Sequence, residues 1–156
     1  MGQKHSISTT IEIASPPETV RAVFMDWQNF KTWNQRMALT PLEPSDRAPA
    51  DLQPGDKIKV DLKGTVFRPV VVENSPGAFK WLGSLYGLFD GQHEFYWKKS
   101  SVTPGGTTFV QQENFTGPLS WFVRDGSSGG TQTKTNFEGL NQELKAESEK
   151  RAKSSA

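Results

Sequence analysis

The chain has 156 residues, a formal net charge of +1, 22% charged side chains and 34% hydrophobic ones. Balanced charge with 11% aromatics is the composition of a folded domain, and it offers nucleic acid little long-range attraction. No run approaches the roughly 20 apolar residues of a transmembrane helix, residues 1–13 lack the apolar stretch of a secretory signal, and the absence of cysteine with only His5 and His93 leaves no disulfide, thiolate nucleophile or histidine-rich zinc site.

Residues 6–13 alternate and are rich in β-branched side chains, which predicts a strand. Ser15-Pro16-Pro17-Glu18 follows in the order of a capping box, with Ser15 as N-cap, Pro16 at the first helical position and Glu18 at the third. Val20, Val23, Phe24 and Trp27 recur at helical spacing, so a helix is expected over 16–25. A second short helix over 26–34 carries Trp27, Phe30 and Trp33. Residues 37–42 form a short strand, and 43–55, with Pro44, Pro49 and Pro54, a loop. Residues 57–63 alternate with Ile58, Val60 and Leu62 on one face, and 65–73 are again rich in strand formers. Asn74-Ser75-Pro76-Gly77 is a turn. The strand over 78–84 places Phe79, Trp81 and Gly83 together, and two further strands, 89–98 and 107–116, are joined through Pro104-Gly105-Gly106.

After Gly117-Pro118 the period changes. A short helix is expected over 119–124, a flexible loop over 125–130, and one long amphipathic helix over 132–153 with Phe137, Leu140, Asn141, Leu144 and Ser148 on its inner face. A run of antiparallel strands with the helices gathered to one side is an α+β domain. The reading is of one domain over 1–156, with 1–5 and 153–156 as disordered tails.

The residues that could carry chemistry lie on the last hairpin. His93, Phe95 and Trp97 share one face of their strand, and Phe109, Gln111, Glu113 and Phe115 share one face of the next. A hairpin centred on Thr103 sets His93 opposite Glu113, Phe95 opposite Gln111 and Trp97 opposite Phe109. Slipping it by one residue would separate the two sets, so burial favours this register. The expected result is a polar pair, His93 and Glu113, in a wall of rings. A carboxylate there could take a proton α to a carbonyl while an imidazole donates to the developing oxyanion. Alternatively the two satisfy each other, with Gln111, beneath the helix. Asn141, one turn after Phe137, either points at a ligand carbonyl or ties helix to sheet. Trp81 and Trp97 either stack on a planar ligand or fill volume. Trp33 is read as packing, Arg68 as solvent-facing and His5 as incidental in a mobile terminus; Tyr86 can be assigned to neither face. The charges over 143–153 are a solvated helix face.

This order of elements resembles the START-like superfamily (SRPBCC), which includes polyketide cyclases, lipid-transfer domains and birch-pollen-allergen-like plant proteins. The resemblance runs over nearly the whole chain. It is carried by Ile11-Glu12-Ile13, Ser15-Pro16-Pro17-Glu18-Thr19-Val20, Asp26, Trp33-Asn34, Phe67-Arg68-Pro69-Val70-Val71, Phe79-Lys80-Trp81, the segments 87–95 and 106–117, Phe137-Glu138-Gly139-Leu140-Asn141 and Leu144-Lys145. It implies a helix-grip: a curved antiparallel sheet of about seven strands wrapped on the long C-terminal helix, with two short helices after the first strand and an apolar cavity open at one end. Residues 125–130, rich in Gly and Ser, and the proline-heavy 45–54 depart from the family pattern and could border that mouth.

The function this implies is binding of a small apolar, aromatic or polyketide-like molecule of secondary metabolism, with or without cofactor-free cyclisation, dehydration or isomerisation. In the enzyme version Glu113 is the base and His93 the acid or oxyanion donor. The ligand-binding set is Trp81, Phe95, Trp97, Phe109, Gln111, Phe115, Phe137, Asn141 and Leu144. A non-catalytic carrier is the alternative, and a co-chaperone-type protein module a third. No cofactor, metal, nucleic acid or membrane insertion is expected, the location is read as cytoplasmic, and the oligomeric state is open.

Overall fold

A computed structural model describes residues 4–85 and 88–154. The predicted Tyr86 position lies outside them. Eight antiparallel strands form one sheet: β1 (Lys4–Ile13), β2 (Ala38–Glu43), β3 (Lys57–Leu62), β4 (Thr65–Phe67), β5 (Val70–Ser75), β6 (Ala78–Leu85), β7 (Phe89–Lys99) and β8 (Thr107–Thr116). Their order is β1-β8-β7-β6-β5-β3-β2, with β4 paired to β3. Helix α1 (Pro17–Met25) and a 3-10 helix (Trp27–Thr32) follow β1, a 3-10 turn (Pro49–Asp51) precedes β3, and a third 3-10 helix (Pro118–Val123) leads into the long α2 (Ser128–Ser154). This is the expected helix-grip, with one strand more than anticipated because Arg68-Pro69 divides the 65–73 segment into β4 and β5. Among the described residues no helix is long and apolar enough to cross a membrane.

Period-two alternation decides what the sheet buries. Phe79 and Trp81 of β6, Phe95 and Trp97 of β7, Phe109 of β8 and Ile58 and Val60 of β3 all point into one core. Helix α1 plugs one end of the sheet with Phe24, whose ring centroid lies 4.5 Å from Phe95, 5.4 Å from Trp97 and 5.8 Å from Phe30. From the other side α2 buries Phe137, Leu140, Asn141, Leu144 and Ser148, the five residues expected on its inner face. Trp33 packs against this core, and Arg68 is exposed, as read. On the outer face of β7, Glu94 is buried among polar partners and accepts from Gln92, Tyr96 and Gln112. Burial raises the Tyr96 phenol above its ordinary pKa, and Tyr96 and Glu73 raise the Lys80 ammonium.

Four local readings are corrected. Ser15 does not cap α1: Pro16 is the N-cap residue, with no side-chain bond, and the Ser15 hydroxyl is buried without a partner among the described residues. Pro16 and Pro17 have no N–H for a cap to satisfy, and the Ser15 carbonyl is held by the Thr107 hydroxyl at 2.6 Å, which keeps Ser15 at the strand end. Helix α2 starts at Ser128, not 132. Ser127 Oγ accepts from the Gly130 N–H at 3.0 Å as an N-cap does, and Gly129 and Gly130 press on the Phe122 and Arg124 carbonyls too closely for any Cβ. His5 belongs to β1, opposite Phe115. Leu62 is 43% exposed although it shares a face with Ile58 and Val60, because β3 has by then run past the core.

The end of β1 is clamped twice. Glu12 accepts hydroxyl hydrogen bonds from Ser100, Thr103 and Thr108, which bind β1 to the β7–β8 hairpin. Lys145 donates to the Glu12 carbonyl at 2.9 Å and to Glu149 at 2.6 Å, while Glu149 accepts from the Ala14 N–H at 2.8 Å, fixing α2 to the same point. The bonds from Ser100 and Thr108 in particular hold the Glu12 carboxyl below the usual carboxylate range. A lowered folded-state pKa stabilises the fold above the ordinary carboxylate value of about 4.3, and that stabilisation is lost as pH falls through the lowered one. Glu12→Gln therefore lowers the midpoint of thermal unfolding at pH 7. The gap to wild type closes as the pH is taken to 3 in a series of circular-dichroism melts. A gap constant over that range would show that the charge of Glu12 contributes nothing.

Candidate functional site

Not all of the inward face is solid. Between the β3–β4 hairpin, strands β6 to β8 and the first half of α2 lies a cavity of about 500 Å³. Its rings are Phe67, Trp81, Phe89, Phe115 and Phe137; its polar groups include His93, Gln111 and Glu113 from the sheet and Thr133 and Asn136 from the helix. Gly83 and Gly91 stand opposite each other in β6 and β7 on the inward parity. Their missing side chains open the space beside Trp81 and His93: a Cβ on Gly83 would meet the Phe67 ring at 3.5 Å and the Gly91 carbonyl at 3.9 Å, both ordinary contacts. The cavity reaches the surface past Leu62 and Val66, both exposed.

The hairpin register is the one centred on Thr103, so His93 pairs with Glu113, Phe95 with Gln111 and Trp97 with Phe109. The His93 ring is held between Phe95, stacked at 4.4 Å, Phe137 at 4.8 Å and Trp81 at 5.0 Å. Its Nδ1 lies 3.2 Å from Glu113 Oε1 and its Nε2 2.8 Å from Gln111 Oε1. The proton positions follow from the chain of bonds behind it. Gln111 Nε2 donates to the Phe137 carbonyl at 3.2 Å and to Asn141 Oδ1 at 2.9 Å, and Asn141 Nδ2 donates to Thr9 Oγ1 at 2.9 Å. A backbone carbonyl can only accept, so the Gln111 amide has one orientation and its oxygen faces His93. His93 Nε2 must then carry a hydrogen. The remaining contact, Nδ1 to Glu113, needs one proton between its two atoms: imidazolium with carboxylate, or imidazole with carboxylic acid. Glu113 Oε2 has no protein partner among the described residues and lies toward Gly91 on the cavity wall.

Of the residues read from the sequence, His93, Glu113, Gln111, Trp81, Phe115 and Phe137 meet at this cavity. Phe95, Trp97, Phe109 and Leu144 do not line it; they belong to the solid core that Phe24 closes. Asn141 is 2% exposed with its amide engaged by Gln111 and Thr9, which is the helix-to-sheet tie. The helix amide that does line the cavity is Asn136, whose Oδ1 accepts from Gln132 while Nδ2 makes no hydrogen bond to a described residue. Arg36, Lys63 and Phe67 were also missed. The proline-rich loop borders a separate open groove instead, and the Asn74 amide pins it through the Pro49, Ala50 and Leu52 carbonyls.

A family model described as polyketide cyclase / dehydrase and lipid transport matches residues 4–149. The chain belongs to this family. The START-like reading of the sequence is borne out. A sequence search of curated proteins finds no match. Similar solved structures include a hypothetical protein from Helicobacter pylori (TM-score 0.69, 13% identity, covering 94% of this chain and 88% of that one). The di-domain ARO/CYC StfQ of the steffimycin biosynthetic pathway matches with TM-score 0.70 and 11% identity, over 96% of this chain and 52% of its own, so this chain spans about half of it. A norcoclaurine synthase point mutant from Thalictrum, in complex with a transition-state analogue, matches with TM-score 0.65 and 6% identity over 97% and 98%. At such identities the likeness is one of fold.

Gln111 is 1% exposed and holds three groups that have no other partner for the same lone pair or proton. Replacing it by leucine leaves His93 Nε2 and Asn141 Oδ1 without these partners and strips the second acceptor bond from the Phe137 carbonyl. Gln111→Leu should cost about 2–4 kcal/mol in urea-induced unfolding. A loss below about 1 kcal/mol would show that this amide does not lock helix to sheet.

Proposed function

We propose that the protein binds a small apolar, ring-bearing molecule in the cavity and that Glu113 transfers a proton to and from it, with His93 holding that carboxylate in place. One observation carries the reading: a carboxylate with one oxygen tied to His93 and the other unengaged, set in a wall of rings. Family membership supports ligand binding in such a space. The pair suits cofactor-free chemistry at a carbon next to a carbonyl. In its ionised form Glu113 Oε2 removes the α-proton, the C–H electron pair passes into the enolate, and the proton is returned to a departing β-hydroxyl, which leaves as water. The β-hydroxy carbonyl becomes an enone, and an aromatic ring when this closes the last double bond.

The roles differ from those read in the sequence. Both His93 nitrogens are engaged inside the protein, so His93 does not reach an oxyanion without breaking a bond. It serves as a positioning residue for Glu113. The donor for a developing oxyanion is Asn136 Nδ2 on the opposite wall. The carrier reading draws on the same network, which is closed upon itself and asks nothing of a ligand except shape.

Proton transfer and carriage separate with a simple ketone. In deuterated buffer, wild-type protein should bind 2-tetralone and exchange its α-protons, followed by proton NMR. Glu113→Gln should retain binding and lose exchange by about 100-fold or more. Exchange at the wild-type rate in that variant removes Glu113 from the chemistry; binding without exchange in the wild type leaves a carrier. Gly83→Val should keep or raise the melting temperature, because valine suits a strand, while its methyl groups enter the cavity and abolish binding. Undiminished binding in Gly83→Val would place the ligand elsewhere.

A further inference from the structure

We propose that the ligand bears a carboxylate, gripped by Arg36 with Lys63 at the outer end of the cavity; this rests on the binding reading above and names its substrate class. Both residues line the cavity and also the groove outside it, so two cations flank the wall between the two spaces. Elsewhere the cavity offers rings, neutral polar side chains and the Glu113–His93 pair.

The Arg36 side chain is placed by features that have no other evident use. Gly139 sits inside α2, where glycine is unfavourable relative to alanine. A Cβ there would fall 2.1 Å from Arg36 Cζ and 2.3 Å from its Nε and Nη2. The guanidinium lies against bare helix backbone that only glycine provides. One turn on, Glu143 Oε1 accepts from Arg36 Nε at 2.7 Å, and Glu143 Oε2 accepts from the Gln35 N–H at 3.0 Å. The guanidinium is thus fixed along its Nε edge. Nη1 and Nη2 make no hydrogen bond to a described residue, and a planar fork of this kind fits a carboxylate bidentately.

Lys63 adds a second charge from an unusual backbone. It takes the first turn position of the β3–β4 hairpin with φ 54°, before Gly64 at φ 98°. That turn favours Asn or Asp before glycine, and a lysine in the left-handed region is uncommon. Its ammonium has no ion-pair partner among the described residues, whereas Arg36 has Glu143. One positive charge is left over, which matches a monoanion. An acid whose ring system lies along Phe67, Trp81 and Phe137 would then present its reacting carbon to the sheet wall that holds Glu113.

The matched probes are 2-naphthoate and 2-naphthamide, equal in ring and different in charge, measured by isothermal titration at pH 7. Wild type should prefer the naphthoate by about tenfold or more. Arg36→Gln and Gly139→Ala should each erase the preference, weakening naphthoate by about tenfold or more and naphthamide by much less. Gly139→Ala is the sharper variant: alanine strengthens the helix, so its melting temperature should hold or rise while it displaces the guanidinium. Lys63→Gln should reduce the preference in part. Equal wild-type affinity for the two probes, or equal loss of both in either Arg36→Gln or Gly139→Ala, overturns the carboxylate assignment while 2-tetralone binding stands. If none of the three ligands binds wild type, the cavity reading falls and takes this inference with it.

Discussion

The Gln111 amide makes its hydrogen bonds where water does not reach, and what surrounds it is arranged by that one side chain. Its nitrogen takes the Phe137 carbonyl and the Asn141 side chain of α2; its oxygen takes His93 of the neighbouring strand. An apolar residue at this place would pack the sheet against the helix equally well. It would not set the helix in rotation about its own axis, and it would not choose which nitrogen of His93 carries hydrogen. A fully satisfied buried network has that directional effect where dispersion has none. The orientation of Glu113 is therefore inherited, through His93, from a contact between α2 and the centre of the sheet.

The inward face is divided lengthwise into a filled half and a hollow half. Residues of one parity run along both. Phe24 enters the filled half from α1 and is ringed by Phe30, Phe79, Phe95 and Trp97. No residue of α1 lines the hollow half, and Gly83 with Gly91 removes two side chains from its floor. Burial of the rings in the filled half supplies stability, at about 25 cal/mol per Å² of apolar surface, without reference to any ligand. The hollow half can keep its shape while empty because the sheet that forms it is anchored at the other end, by the core and by the Glu12 and Glu149 clamps on β1.

This division also decides what could be read from the sequence. Register was legible: alternation with period two and a turn at Pro104-Gly105 leave one pairing that buries both strands, and His93 fell opposite Glu113 accordingly. Distance along the strand was not, since Phe95 and Trp81 have the same parity and the same chemistry, and only the position of Phe24 in space separates core from cavity. Asn141 and Asn136 show the same limit on the helix. Asn141 lies among the apolar positions, where a ligand contact and a tie from helix to sheet read alike; it is buried and its amide is occupied. Asn136, one residue before Phe137, is exposed and lines the cavity, and no period in the sequence marks it. The Gly129-Gly130 pair suggested slack by composition, while in the fold each glycine permits a close backbone contact.

A glycine within a helix was the sign that could have been followed further. Helix α2 has strong formers around Gly139, and the residue that explains it is more than 100 positions earlier in the chain, where nothing local marks Arg36 as more than a surface cation. The cost of Gly139 is local and the gain lies across a tertiary contact, so the two can be connected only in three dimensions. The same holds for Gly83 and Gly91, which weaken their strands and open the cavity. Gly83 and Gly91 face the proposed ligand space, Gly139 backs the Arg36 guanidinium, and none of the three is required by a turn. That concentration of unfavourable local choices around one space, in a chain whose other half is packed with rings, is what separates a binding cavity from a packing fault.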